Sequence, residues 1–266
     1  EWMELKAMQA GTEKPDRAFI HRLLQQTQAE AAEAEQRGDV MAQFYAVRSL
    51  AADFKGLEDV DRFAKQAAAL KDSKAMKKAR HREEQEIEKQ ESLTSLASGQ
   101  IAQLGKVPPN VRSRVQQQIF SVLSDLRREA RSKSKDHLVF VRAFNQLWIQ
   151  GIETGQNEFR NNNFPGAAAY FESMADAAPD QAWPLLLLAE ARVREGDKKA
   201  ALKALEEAVQ RGLKNPKNLT EDPELEPLAS DPAFQKIVRA LDQSPGGSAP
   251  PTGTRGPASQ KPVSPG

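Results

Sequence analysis

The sequence has no cysteine, which excludes disulfides, thiol nucleophiles and thiolate metal sites, and which fits an exported chain and a cytosolic one alike. Long apolar runs are also missing. The longest, "LLLLA" from Leu185, falls far short of the roughly 20 residues needed to cross a bilayer, so no transmembrane segment is expected. Charge of one sign is missing as well. With 38 Lys and Arg against 37 Asp and Glu over 266 residues, the net charge of +1 gives no field for steering towards nucleic acid, which is not an expected partner. Finally, the opening "EWMELKAMQAG" lacks an initiator Met and a secretory signal. Trp2, Leu5 and Met8, with Met3, lie on one side of a helix without an upstream partner, which suggests a chain that begins inside a longer protein. The compartment stays open.

What is present is helix-forming sequence, rich in Ala, Leu, Gln, Glu, Lys and Arg and poor in runs of β-branched residues, so the expected fold is all-α. Asp16 can cap a helix with the stripe Phe19, Ile20, Leu23 and Leu24, running to about Arg37. Gly38-Asp39 then breaks the chain. Met41, Phe44, Tyr45, Val47, Leu50, Ala51 and Phe54 supply the apolar side of a second helix that folds back on the first, and Val60, Phe63, Ala67 and Leu70 supply a third. From 71 to 91 a basic block precedes an acidic one with almost no apolar face. That pattern reads as a solvated helix held by i, i+4 charge pairs, with a docking surface for an acidic partner as the alternative.

"GKVPP" from Gly105 is the clearest punctuation, because two prolines cannot continue a helix. Beyond it Val111, Val115, Ile119, Val122 and Leu126 trace one helical face, and Phe140, Phe144, Leu147 and Ile152 trace another. The organisation expected is a helical-hairpin region over 1–104, a linker with bridging helices over 105–147, helical repeats with a cap over 148–243, and a disordered Pro/Gly/Ser tail over 244–266.

The repeat is visible as an offset. Ala167 and Ala201 are 34 positions apart, as are Phe171 and Leu205, Gly155 and Ala189, and Met174 and Ala208. With Pro179 closing the first unit, the pattern over 148–212 resembles the tetratricopeptide repeat, which implies stacked helical hairpins with small residues where helices cross. Glu158 and Arg192 depart from it, standing where the family carries an aromatic. Asp222-Pro223 and Asp231-Pro232, followed by Phe234, Ile237, Val238 and Leu241, resemble the closing cap of bacterial tetratricopeptide arrays. A second resemblance lies in "EWMELKAMQAG", "DRAFIHRLL" and "AADFKGLEDV", which look like the helical region following an α/β-hydrolase (esterase) domain in some bacterial proteins. Under that reading a catalytic domain precedes Glu1.

No chemistry is legible in the chain itself. The nucleophile elbow G-x-S-x-G is missing, and no Gly-rich phosphate loop opens a helix. His21, His81 and His137 are far apart; "HREEQ" at His81 lacks the second His of a zinc motif, His21 reads as a boundary residue of the core and His137 as lying near a helix start. No cofactor or metal is expected, and no enzyme activity from these residues. What remains is the surface of the stack. In tetratricopeptide arrays the first helix of each unit lines a groove, and the resemblance places Gln156, Arg160, Glu190 and Arg194 there, with the two arginines again 34 apart. Two stacked guanidinium groups suit a carboxylate of an extended peptide. The basic and Asn residues of the carboxylate-clamp subset are missing. The expected role is a non-catalytic scaffold whose partner is a protein, a peptide or an upstream domain of the same chain. A membrane-surface or nucleic-acid adaptor working through the basic blocks at 74–82 and 127–135 ranks last, since neither block is interleaved with aromatics.

Overall fold

The computed structural model describes residues 1–242; the expected disordered segment 244–266 lies outside them. The described residues form helices and no strand beyond an isolated bridge between Lys55 and Glu58. They divide into two compact units, Glu1–Lys89 and a second that begins at Gln90, each with its own buried core.

The first unit holds α1 (Trp2–Gln9), α2 (Arg17–Gln36), α3 (Val40–Asp53), α4 (Asp61–Asp72) and the first half of α5 (Lys74–Gln103). Asp16 starts α2 by accepting hydrogen bonds from the amides of Ala18 and Phe19. Gly38, at φ 69°, ends it, a left-handed position that a residue with a Cβ enters only at a cost. Asp39 at once caps the next helix by accepting from Ala42 N at 3.0 Å, so α2 and α3 form a hairpin with a very short turn. Ile20, Leu23, Val47, Leu50, Phe54 and Phe63 fill the core, joined by Met76 from the otherwise solvated start of α5.

An expectation for this unit changes. Tyr45 does not share the buried side of α3: it is 56% exposed while Phe44 is buried, because neighbours on a helix are turned by about 100° and α3 buries only one face, with Phe44, Val47 and Leu50 on it. The apolar stripe of α1 also finds a partner downstream. Leu5 and Met8 are buried in the same core, and α1 is tied to α3 and the turn after it by Lys6 to Asp53 at 2.7 Å and by Gln9 Nε2 donating to the carbonyls of Ala52 and Lys55 at 2.9 and 3.1 Å. Only Trp2 and Met3 of that stripe stay exposed. Burial pushes the Asp53 carboxyl up, but the hydrogen bonds from Lys6 and Ser49 and the Lys6 charge outweigh it and hold the group below the ordinary carboxylate range.

The second unit holds the rest of α5, then α6 (Pro109–Ala130), α7 (His137–Arg160), α8 (Phe164–Ala177), α9 (Trp183–Arg194), α10 (Lys198–Gln210), α11 (Lys217–Thr220), a 3-10 helix (Pro223–Leu228) and α12 (Pro232–Asp242). Consecutive helices pack as hairpins: α6 on α7, α7 on α8, α8 on α9, α9 on α10. Ala167, Phe171, Met174, Ala189, Ala201, Leu205 and Ala208, the positions related by the 34-residue offset, are all buried. Gly155 and Gly151 let α7 and α8 approach closely at the first crossing. A Cβ at Gly155 would lie 2.7 Å from the Phe171 ring and 2.9 Å from Tyr170 Cβ. In α6 the inward face is Ile119, Leu123 and Leu126; Leu123 replaces Val111, which is exposed at the helix start. Asp222-Pro223 opens a 3-10 rather than an α-helix, and Phe234, Ile237 and Leu241 of α12 close the core as the cap.

The two units part at Lys89/Gln90, not at 104/105. No residue from 77 to 92 is buried, so the cores are separated there, whereas Gly105 sits inside the second core. Gly105 N donates to Tyr170 Oη at 3.1 Å, Tyr170 Oη donates to Ile101 O at 2.6 Å, and Asn163 Nδ2 donates to Gly105 O at 3.1 Å and to Glu158 Oε2 at 2.7 Å. The prolines break the helix without ending the domain. Likewise α6 is no linker: it packs on α7 and α8, and Arg127 donates to Ala177 O at 2.8 Å and pairs with Asp180, as Arg131 does at 3.1 Å. Burial raises the Asp180 carboxyl, but these two arginines outweigh it and keep the group low.

Candidate partner-binding groove

The first helices of the two hairpins are α7 and α9, and the second helices are α8 and α10. Three of the offset pairs lie on the second helices and the pair Gly155 and Ala189 on the first, while the candidate residues fall near the ends of the first helices. Gln156 and Glu190 are half-buried; Arg160 and Arg194 are exposed. Arg194 is nevertheless engaged. Its Nη1 bonds Glu224 at 2.8 Å, and its guanidinium lies 4.7 Å from the centre of the Phe164 ring and 5.8 Å from that of Phe159. Phe159 and Phe164 meet edge to face at 5.3 Å across the turn between α7 and α8. The end of α9 is thus brought to the end of α7, beside the position of Arg160, whose own guanidinium bonds Asn157 one turn back on the same helix.

Chemically this gives a cationic edge with an aromatic floor. Arg194 spends its charge on Glu224 and its flat face on two rings. Arg160 is exposed and, among the described residues, bonds only Asn157 through one nitrogen, and a guanidinium carries five donors in a fork suited to a carboxylate or a main-chain carbonyl. Phe159, Phe164 and Glu224 were not singled out by sequence. The two phenylalanines flank "NNN", a turn signal that points at the backbone and not at a surface, and Glu224 comes from the non-repeating cap.

The two departures from the repeat pattern are accounted for by polar partners. Glu158, half-buried, accepts from Asn163, whose own Oδ1 accepts from Gly166 N at 3.2 Å and caps α8. Arg192, also half-buried, bonds Glu195 at 2.8 Å and lies 3.9 Å from Glu172 of α8. Each takes the place of an aromatic at a position where neighbouring polar groups satisfy it.

The histidines stand apart from this edge. His21 is exposed, so it is no core residue; it contacts Gln25 at 2.9 Å across one turn of α2. His81 makes the same kind of contact with Gln85, at 3.1 Å, and His137 begins α7 with Nδ1 3.1 Å from Ser134 O. Among the described residues no group of three or more His, Asp or Glu is placed to hold a metal ion, and no described helix is long and apolar enough to cross a membrane. In the basic block at 127–135, Arg127, Arg128 and Arg131 pair with Asp180 or Asp125 of their own unit.

Comparison with curated proteins and with solved structures finds no match. A family model does match: residues 158–217 fit the tetratricopeptide repeat. That span runs from the last turn of α7 through α8, α9 and α10, which are the hairpins whose buried residues repeat at the 34-residue offset. Residues 158–217, in the second compact unit, therefore carry tetratricopeptide repeats.

Proposed function

We propose that the chain is a non-catalytic scaffold that holds an extended segment of a partner protein along the ends of α7 and α9, with Gln156, Arg160, Glu190 and Arg194 lining the contact. Stacked repeats of this kind present extended concave surfaces to protein partners. The observation that carries the reading is the exposed Arg160 guanidinium beside a ring pair already fixed by Arg194. Arg194 is a wall of the site, preorganised by Glu224 and the phenylalanines; Arg160 is the group left to meet the partner. A preorganised wall loses little freedom on binding.

The test is a selection of displayed peptides on the full chain, followed by affinity measurement. Arg160→Glu is expected to weaken the selected peptides by about tenfold or more, a range typical of a lost charged contact at an interface. Unchanged affinity for all of them, with the variant folded, contradicts the assignment.

A further inference from the structure

A second surface lies in the first unit, on residues that take no part in the repeats. Phe44, Tyr45 and Arg48 of α3, Ala67 and Lys71 of α4 and Arg80 of α5 surround a hollow of about 460 Å³. No carboxylate lines it. Among the described residues Arg48, Lys71 and Arg80 form no ion pair; of the acids further along α5, Glu86 pairs with Arg82, and none of them lines the hollow. The sequence deepens the imbalance: from 65 to 82 there are seven Lys or Arg against one Asp. Three exposed cations drawn from three helices thus converge on one concavity without a counter-charge.

The hollow also has an apolar side. Phe44 and the Ala67 surface of α4 form it, and Tyr45, 56% exposed, stands at its rim with its ring 5.4 Å from that of Phe44. A large aromatic left in solvent beside unpaired cations has no role in the core of its own unit. We propose that this hollow is a docking site for an acidic segment of a partner protein, which seats an apolar side chain against Phe44, Tyr45 and Ala67 while its carboxylates meet Arg48, Lys71 and Arg80.

The shape and charge favour this occupant. A concavity of side-chain size suits a peptide more than a bilayer surface, and a chain of net charge +1 lacks the broad positive field that nucleic acid needs. The chain's own segment 243–266 has Arg255 and Lys261 and no acidic residue, so it repels these cations instead of complementing them. The site is independent of the repeat surface: all its residues belong to Glu1–Lys89.

The test uses the full chain and a fluorescent dodecapeptide of glutamates around a central Leu-Phe pair, read by anisotropy. The peptide is expected to bind, and to weaken about tenfold as salt rises from about 0.05 to about 0.3 M. The triple variant R48E/K71E/R80E, with unchanged circular dichroism and melting temperature, is expected to lose at least about tenfold and to gain binding of the same peptide with lysines in place of glutamates. Tyr45→Ala is expected to weaken the acidic peptide severalfold without altering its salt dependence. The control K133E/K135E, in the second unit, is expected to bind like wild type. The proposal is overturned if the acidic peptide does not bind, if the triple variant binds it as well as wild type, or if the control loses as much. It is also overturned if phosphatidylserine vesicles or single-stranded DNA bind more tightly than the peptide and depend on the same three cations.

Discussion

Gly155 shows how one residue sets the spacing of the repeat stack. It lies where α7 crosses α8, and any Cβ would press on the Phe171 ring and on Tyr170, which are themselves fully buried. Gly155→Val is therefore expected to destabilise the second unit by about 1–3 kcal/mol through overpacking, read as a lower denaturant midpoint. Tyr170 carries a different burden. Its hydroxyl accepts from Gly105 N and donates to Ile101 O, and burial pushes its pKa up, so it stays protonated. Tyr170→Phe leaves both backbone groups short of a partner and is expected to cost about 1–3 kcal/mol in the same assay. Of these two, only Gly155 was legible in the sequence, through its offset from Ala189. The hydroxyl network joins residues 65 apart in sequence, and no local pattern announces it. Tyr45 and Val111 were misplaced for a simpler reason. Hydrophobic type was read as burial, but inward direction is fixed by the helical turn, which chose Phe44 and Leu123.

At the scale of elements, helix ends were the most legible features because their causes are local. Asp16, Asp39, Asn163 and Asp197 each cap the helix they precede, and Gly38 and Gly196 end helices at positive φ. The docking of α1 was not legible, since it depends on Asp53 at the far end of α3. That contact gives a pH prediction with a definite sign. The folded carboxyl titrates below its unfolded value of about 3.9, so the stabilisation is fully present above that value and disappears as pH falls through the folded pKa. Amide exchange in α1 is expected to accelerate in that acid window before the rest of the first unit opens. Lys6→Met, which removes the partner of Asp53, is expected to abolish the pH step. If α1 in the variant still loosens over the same window, Asp53 is not its latch. The "GKVPP" turn teaches the converse lesson: Pro and Gly mark where a helix must stop, whereas a compact unit ends where buried side chains stop, some fifteen residues earlier.

For the molecule as a whole, two cores without shared buried residues predict two unfolding events. Leu50→Ala is expected to lower the stability of the first unit and Leu123→Ala that of the second, each by about 2–5 kcal/mol, with the other transition unmoved in a denaturant titration followed by amide exchange. A single transition shifted equally by both changes contradicts the division. The repeat architecture was open to sequence reading because burial imposes the 34-residue period on every unit. The proposed partner surface was less so, since nothing forces a period on exposed residues: Arg160 and Arg194 share the offset, yet one is exposed with only Asn157 as partner among the described residues and the other is held by Glu224 and two rings. Whether the α7–α9 edge is where a partner lies is the central claim. A photo-crosslinking amino acid placed at Arg160 of the full chain, and in parallel at the exposed Lys203 on α10, tests it in source lysate. The account predicts a discrete protein adduct from position 160 and none from 203; an adduct from 203 alone would contradict it.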